Sequence, residues 1–294
     1  PPYTSHLIGL KLQRKAHLPW VADFRDSWIG WLSTPQWRPK FARRIEKSME
    51  GAVLKHASKI LTVSHGVKED LLSRHPELQD DRWHLLPNGF DAADFQNIQP
   101  IPDNERVIVT YVGSLYGPRN PEYLLRALEK IENESPGSLD NLCFRLIGRI
   151  GASIRNRIQS SSVSHLFEFI SYVSHQKSLS YLLGSDVSLL IIDDAPTNRG
   201  ILTGKLFEYI GAGNPILALT PEGEAADLIR SKNLGWVVPP KDVQAIQHTV
   251  QQILAIKSLD NCHFHPCKNL QQQFDRRHQT GALAKILDEL IQRK

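Results

Sequence analysis

The residues of this chain best suited to chemistry stand together at Thr203-Gly204-Lys205 and Glu208, inside the stretch 203–219. Gly204 and Glu208 are four apart and Lys205 and Glu208 three apart, a spacing that sets them on or near one face of a helix, at its N-terminal end. A helix start offers free backbone N–H groups and the positive pole of the dipole. Gly204 lets a ligand approach the backbone and Lys205 adds a full charge, so a diphosphate is the anion this pattern would seat. Glu208, one turn further in, is placed to accept hydrogen bonds from sugar or ribose hydroxyls. The same residues also suit an ordinary amphipathic crossover helix with Lys205 and Glu208 as a solvated pair, and the helix alone leaves both readings open.

The elements that would position these groups are readable from local chemistry. Thr203 caps the helix with its hydroxyl, Gly213 ends it in a left-handed conformation, Pro215 prevents its continuation, and a strand follows at Ile216–Leu219. Upstream, a β-branched strand at 106–112 leads through Gly113-Ser114-Leu115-Tyr116-Gly117-Pro118-Arg119-Asn120-Pro121 into a helix at 122–131. Strand, glycine-bearing loop and helix form the general phosphate-cradling arrangement, without the P-loop pattern. Arg119 is either the charge of that loop or a solvent-facing residue. A short strand at 18–24 ends in Asp23-Phe24-Arg25-Asp26-Ser27-Trp28. Charged residues at a strand's C-terminal end fall on the ligand-binding edge of an alternating α/β chain, although Arg25 could equally pair with Asp23 or Asp26 to hold the loop. The adjacent Asp193-Asp194 need not converge on one substrate and reads as solvated or capping. Glu222-Gly223-Glu224 either approaches the ligand or caps the helix beginning near Ala225. Cys262-His263-Phe264-His265-Pro266-Cys267 holds residue types that bind zinc, but without two separated ligand pairs, and reads as a polar loop.

Lys-Leu-Phe-Glu-Tyr-Ile-Gly-Ala-Gly-Asn-Pro-Ile-Leu-Ala, from Lys205 onward, resembles the donor-site helix and following strand of bacterial GT-B glycosyltransferases, the large retaining group that uses nucleotide-diphosphate sugars (family 4, group 1 type). The resemblance implies that Glu208 holds the nucleotide ribose. Gly200 stands where these enzymes carry a second glutamate, against the donor sugar. Pro-Trp-Val-Ala-Asp-Phe-Arg-Asp-Ser-Trp, from Pro19, is similar to a segment of the acceptor-side domain, with Arg25-Asp26 in place of a common His-Asp pair. In the loop from Gly113, Ser114 and Asn120 occupy places where relatives often have Arg and Lys, leaving Arg119 as the cation. The resemblance further implies that Gly113, Ser114, Arg149, Thr203, Gly204 and Lys205 surround the donor diphosphate, and that the turn Tyr172-Val173-Ser174 reads the base through its backbone. Relatives commonly have Gly at Ser171. Tyr172 either stacks on the base or packs. Arg25, Asp26, Arg119 and Lys205 are then the catalytic candidates, with neither a metal nor another cofactor expected.

The implied architecture is α/β with two Rossmann-like domains facing a cleft: residues 1–96 on the acceptor side, 97–265 on the donor side, and a final helix, 266–294, packing back across both. Strands are expected at 60–64, 84–91, 141–147, 167–173, 186–192 and Gly235–Val238, with helices between them. Pro-Asn-Gly at 87–89 marks the passage between domains, and 97–104 is the linker. The residues ahead of that linker are too few for a complete acceptor domain, so a truncated or degenerate form, or a short form completed by a partner, is expected. A basic helix at 37–59 sets Phe41, Ile45, Met49, Val53 and Leu54 as a core face against Arg38, Lys40, Arg43, Arg44 and Lys47.

With 294 residues, 41% hydrophobic and 22% charged, the composition is that of a soluble globular protein, and a net charge of +4 is too small to argue for nucleic acid. Three cysteines without a disulfide framework suit a reducing cytoplasm, and no apolar run of about 18 residues occurs. The expected substrates are a nucleotide-sugar donor and a glycan or lipid-linked acceptor, in cell-surface polysaccharide synthesis. The basic helix suggests peripheral contact with the inner membrane surface. A non-catalytic nucleotide-sugar-binding or partner-binding remnant and a nucleotide-sugar epimerase are the alternatives.

Overall fold

The computed structural model describes residues 3–29, 39–103, 105–255, 264 and 268–292. Two parallel sheets account for its strands. The first has three, in the order β1 (Val21–Phe24), β2 (Lys59–Thr62), β3 (Trp83–Leu85), connected through helices α2 (Lys40–His56) and α3 (His65–Arg74), with α1 (Thr4–Ala16) preceding. Register runs Val21 opposite Lys59 and Ile60 opposite Trp83.

The second sheet contains β4 (Val107–Val112), β5 (Leu142–Ile147), β6 (Phe167–Ile170), β7 (Val187–Ile191), β8 (Ile216–Leu219) and β9 (Gly235–Val238) in the spatial order β6-β5-β4-β7-β8-β9. Numbered from β4, that is 3-2-1-4-5-6, the doubly wound Rossmann order, whose direction of winding reverses between β4 and β7. The alternating connections are α4 (Glu122–Glu134), α5 (Ala152–Gln159), α6 (His175–Leu183), α7 (Gly204–Ala212) and α8 (Glu224–Ser231), with α9 (Val243–Ala255) after the last strand. The sheet is buried on both faces: Leu189, Leu217 and Leu219 join a cluster with Leu124, Phe144 and Val250, while Leu190, Ile216 and Ala218 join one with Leu206, Phe207 and Ile210. Continuous apolar strands such as β7 follow from that double burial.

Three sequence expectations are corrected. The last helix is two, α10 (Lys268–Phe274) and α11 (Arg276–Gln292), because Phe90 pairs with the chain at Asp275, donating its N–H to Phe274 O (3.1 Å) and accepting from Arg276 N–H (2.9 Å). The first strand is shorter than 18–24, and Leu18 is exposed. On α2 the apolar stripe outruns the core: Val53 and Leu54 are buried, but Phe41 is 67% and Ile45 54% exposed. Of the motif at 262–267 only Phe264 lies within the described residues, edge-on to Trp236.

Candidate functional site

The winding reversal brings together two of the candidate cations, Lys205 and Arg119. At the start of α7, Thr203 Oγ1 accepts the Lys205 N–H at 3.2 Å, and Gly213, at φ 83°, closes the other end. Tyr209, fully buried on α7, accepts the Val112 N–H (3.3 Å) and donates to Leu189 O (3.1 Å), fastening the helix to β4 and β7 together. From that fixed helix Lys205 reaches the end of β4. Its Nζ donates to the Tyr111 hydroxyl at 2.7 Å and stands 4.6 Å from the ring centroid. Gly113, at φ +129°, lies directly beneath; a Cβ there would fall 2.4 Å from Lys205 Cε. The glycine is therefore required both by its backbone and by the lysine that crosses it.

Tyr111 is fully buried and donates to Ser114 O at 2.9 Å. Burial pushes its pKa up to about 12, so it remains a neutral phenol. Burial, and then the neighbouring Arg119, bring Lys205 down to about 8, while Glu208 acts in the opposite direction. Arg119 also reaches Tyr111, yet its Nε is buried without an acceptor among the described residues. Two cations thus share one phenol. Asn120 is occupied otherwise: its amide donates to Gly117 O (3.0 Å) and Pro118 O (3.3 Å), and its carbonyl oxygen accepts the Glu122 N–H (3.0 Å) at the start of α4.

Glu208 is a third exposed and lies 3.5 Å from His175 Nε2, whose ring faces Asp94 at 3.8 Å on the other side. These groups, with Gly89, Phe90 and Arg276, line a cavity of about 200 Å³. His175 follows the turn carrying Tyr172, 78% exposed, and Val173; Ser174 accepts the Lys177 N–H to cap α6. Arg149 contributes its carbonyl, which accepts the Leu115 N–H at 2.9 Å, while its side chain is exposed.

Arg25 and Asp26 lie on the other sheet, apart from the Lys205 cluster. Arg25 bonds Asp23 at 3.0 Å and donates to Leu86 O at 3.1 Å, tying the ends of β1 and β3 together. These bonds hold the loop after β1. Asp26 is exposed, and partial desolvation raises its carboxyl above the usual carboxylate range. Asp194 pairs with Lys241 at 3.0 Å, in keeping with a solvated residue. Tyr111 and His175 escaped the sequence reading; a tyrosine two residues ahead of the loop glycine, on the ligand edge of a buried strand, was the available clue.

Two Rossmann-like sheet domains, the larger with its winding reversal beside Lys205 and Arg119, define a GT-B architecture. The chain belongs to the group 1 glycosyltransferases: the family model "Glycosyl transferases group 1" matches residues 106–255, and "Glycosyltransferase Family 4" matches residues 2–94. An uncharacterized glycosyltransferase of Methanocaldococcus jannaschii is 21% identical over 277 residues, covering 86% of this chain, which spans 64% of that relative's length. Among solved structures, sucrose-phosphate synthase from Thermosynechococcus elongatus superposes with TM-score 0.71 at 18% identity, over 99% of this chain and 73% of that one. Anabaena HepE in complex with UDP superposes with TM-score 0.73 at 14% identity, over 97% and 76%. At these identities the structural likeness is one of fold.

Proposed function

We propose that the chain transfers a sugar, with retention, from a nucleotide-diphosphate donor to a glycan or lipid-linked acceptor in cell-surface polysaccharide synthesis. The observation that carries this is the pair Lys205 and Arg119, crowded around one buried phenol at the start of α7, with Arg119 Nε buried without an acceptor among the described residues. A diphosphate supplies the missing negative charge, accepts from both cations, and keeps the lysine protonated to higher pH. The same contacts strengthen as charge gathers on the leaving diphosphate, so they favour the transition state over the bound donor. Two side-chain cations and a helix start do this without a metal in the proposal. Glu208, held opposite His175, receives the ribose hydroxyls, and Tyr172 and Val173 border the base. The solved complex of HepE with UDP supports a nucleoside diphosphate as the ligand class.

The acceptor would be met at the inner face of the cell membrane. Exposed Ile8, Leu12 and Leu18 on and after α1, and Phe41 and Ile45 on α2, stand among Lys11, Arg14, Lys15, Lys40, Arg43 and Arg44. Apolar side chains interleaved with cations suit an anionic lipid surface. No helix among the described residues is long and apolar enough to cross a membrane.

Calorimetric titration with a panel of nucleoside diphosphates, repeated with Glu208→Ala, tests the reading. One nucleotide should bind, and the variant should lose about tenfold or more in affinity for it while keeping inorganic pyrophosphate binding. Folded protein that binds none of the panel would refute the assignment. Product analysis with a donor then separates transfer from binding alone, the reading favoured by Gly200, which leaves no carboxylate at its position.

A further inference from the structure

Glu224, the first residue of α8, extends out of the six-stranded domain into the other one. Its carboxylate accepts the His65 N–H at 2.9 Å and the Gly66 N–H at 2.5 Å, the first two amides of α3. Ser64 caps the same helix from its own side, accepting the Val67 N–H at 3.1 Å, and donates its hydroxyl proton across the seam to Gly200 O at 2.8 Å. The start of α3 is therefore satisfied half by its own domain and half by the facing one. Sterics match this arrangement, since a Cβ on Gly66 would lie 2.4 Å from Gly200 Cα and 3.0 Å from Glu224 Oε1.

Glu224 reaches the seam because Gly223, at φ +145°, turns the backbone hard against Arg199, where a Cβ would meet the Arg199 carbonyl oxygen at 2.1 Å. The Glu224 N–H then bonds Arg199 O at 2.8 Å. One residue thus joins the start of α3 to the segment 199–202, which Asn88 also holds through Leu202 O at 3.4 Å. That segment runs directly into Thr203, the cap of the helix carrying Lys205 and Glu208.

We propose that Glu224 is a positioning residue that clasps the two domains and, through residues 199–202, sets the approach of α7 to its ligand. Charge-assisted bonds from a carboxylate to helix-start amides are strong for their size, but both partners regain water when the seam opens, so the clasp is reversible. The clasp stands on geometry alone; its effect on nucleotide affinity rests on the donor-site reading above.

Glu224→Ala and Gly66→Ala in the full chain break the seam by opposite means. The first removes the acceptor. The second inserts a Cβ between the domains while placing a better helix former in α3, so loss of α3 does not account for any opening it causes. Both variants should show a larger radius of gyration in solution scattering, and Glu224→Ala should speed amide exchange at His65 and Gly66 by about tenfold or more, with Glu224→Gln intermediate because one acceptor oxygen remains. An unchanged radius in both variants, or exchange accelerated uniformly along the chain, overturns the clasp. Titration with UDP decides the coupling: weaker binding in both variants supports it, and wild-type affinity in an opened variant overturns it. If the wild-type chain binds no UDP, the donor-site reading falls, and scattering and exchange still decide the clasp.

Discussion

Replacing Lys205 with methionine should make the chain more stable while depriving it of affinity for nucleoside diphosphates. The ammonium is largely desolvated beside Arg119 and, among the described residues, hydrogen-bonds a neutral phenol, and its pKa falls from 10.5 to about 8. The fall from 10.5 to about 8, at roughly 1.4 kcal/mol for each tenfold change in proton affinity, caps the cost of keeping this charge in the folded chain at ~3.5 kcal/mol. Solvent reaching the partly exposed side chain screens the interaction, leaving about 1–2 kcal/mol. Methionine preserves the length and fills the space between Gly113 and the Tyr111 ring without a charge. At roughly 2–4 °C per kcal/mol for a protein of this size, the variant should melt about 2–8 °C higher at pH 7. The pH dependence carries a definite sign. With the folded pKa below the unfolded one, the folded state binds fewer protons between about 8 and 10.5, so wild-type stability rises with pH across that window and the variant's advantage shrinks to nothing. Below about 8 the advantage is constant. Nucleotide binding runs the other way, because a diphosphate prefers the protonated lysine: wild-type affinity for UDP should fall as pH rises above about 8, and the variant should bind weakly with no such fall. Calorimetric melting at pH 7 and 10 and UDP titration at pH 7 and 9 measure both effects. A variant less stable than wild type at pH 7, or one that binds UDP with wild-type affinity, refutes the reasoning.

Gly113→Ala should lower UDP affinity by about tenfold while leaving the circular dichroism spectrum intact, since the new methyl group, at a positive φ, displaces Lys205; retained affinity would remove the close crossing from the site. Arg74→Ala should cost about 3–5 kcal/mol in denaturant unfolding, because fully buried Glu50, bonded to Arg74 at 2.8 Å and His75 at 3.2 Å, loses its cation. A change within about 0.5 kcal/mol would show that His75 suffices. Phe41→Ser combined with Ile45→Ser should reduce co-sedimentation with phosphatidylglycerol vesicles several-fold and leave UDP binding unchanged; undiminished sedimentation would discard this face as a membrane contact.

The parts of this molecule that could be read from residues alone are those whose causes are local. Thr203 and Gly213 bracket α7 through bonds within a turn of themselves, and the apolar run of β7 announces a strand buried on both faces. What periodicity could not disclose was any contact made by topology. Tyr111 and Lys205 are 94 residues apart and meet because β4 and β7 are neighbours at the winding reversal. Glu224 finds Gly66 across 158 residues, and the single helix expected at the C-terminus breaks because Phe90 bridges to it at Asp275. The loop from Gly113 shows how the two kinds of information combine. The resemblance places charged residues where Ser114 and Asn120 stand, which by itself suggests a weakened anion site. The structure shows Asn120 bonded to the loop's own carbonyls and to the start of α4, where it shapes the loop. The positive charge is concentrated instead on Lys205 and Arg119, where burial first, and then the neighbouring arginine, depress the lysine. A buried charge of this kind is unfavourable for the folded chain by itself, and under the proposed function a diphosphate would offset it, so the feature that lowers stability is the one the proposal makes responsible for binding.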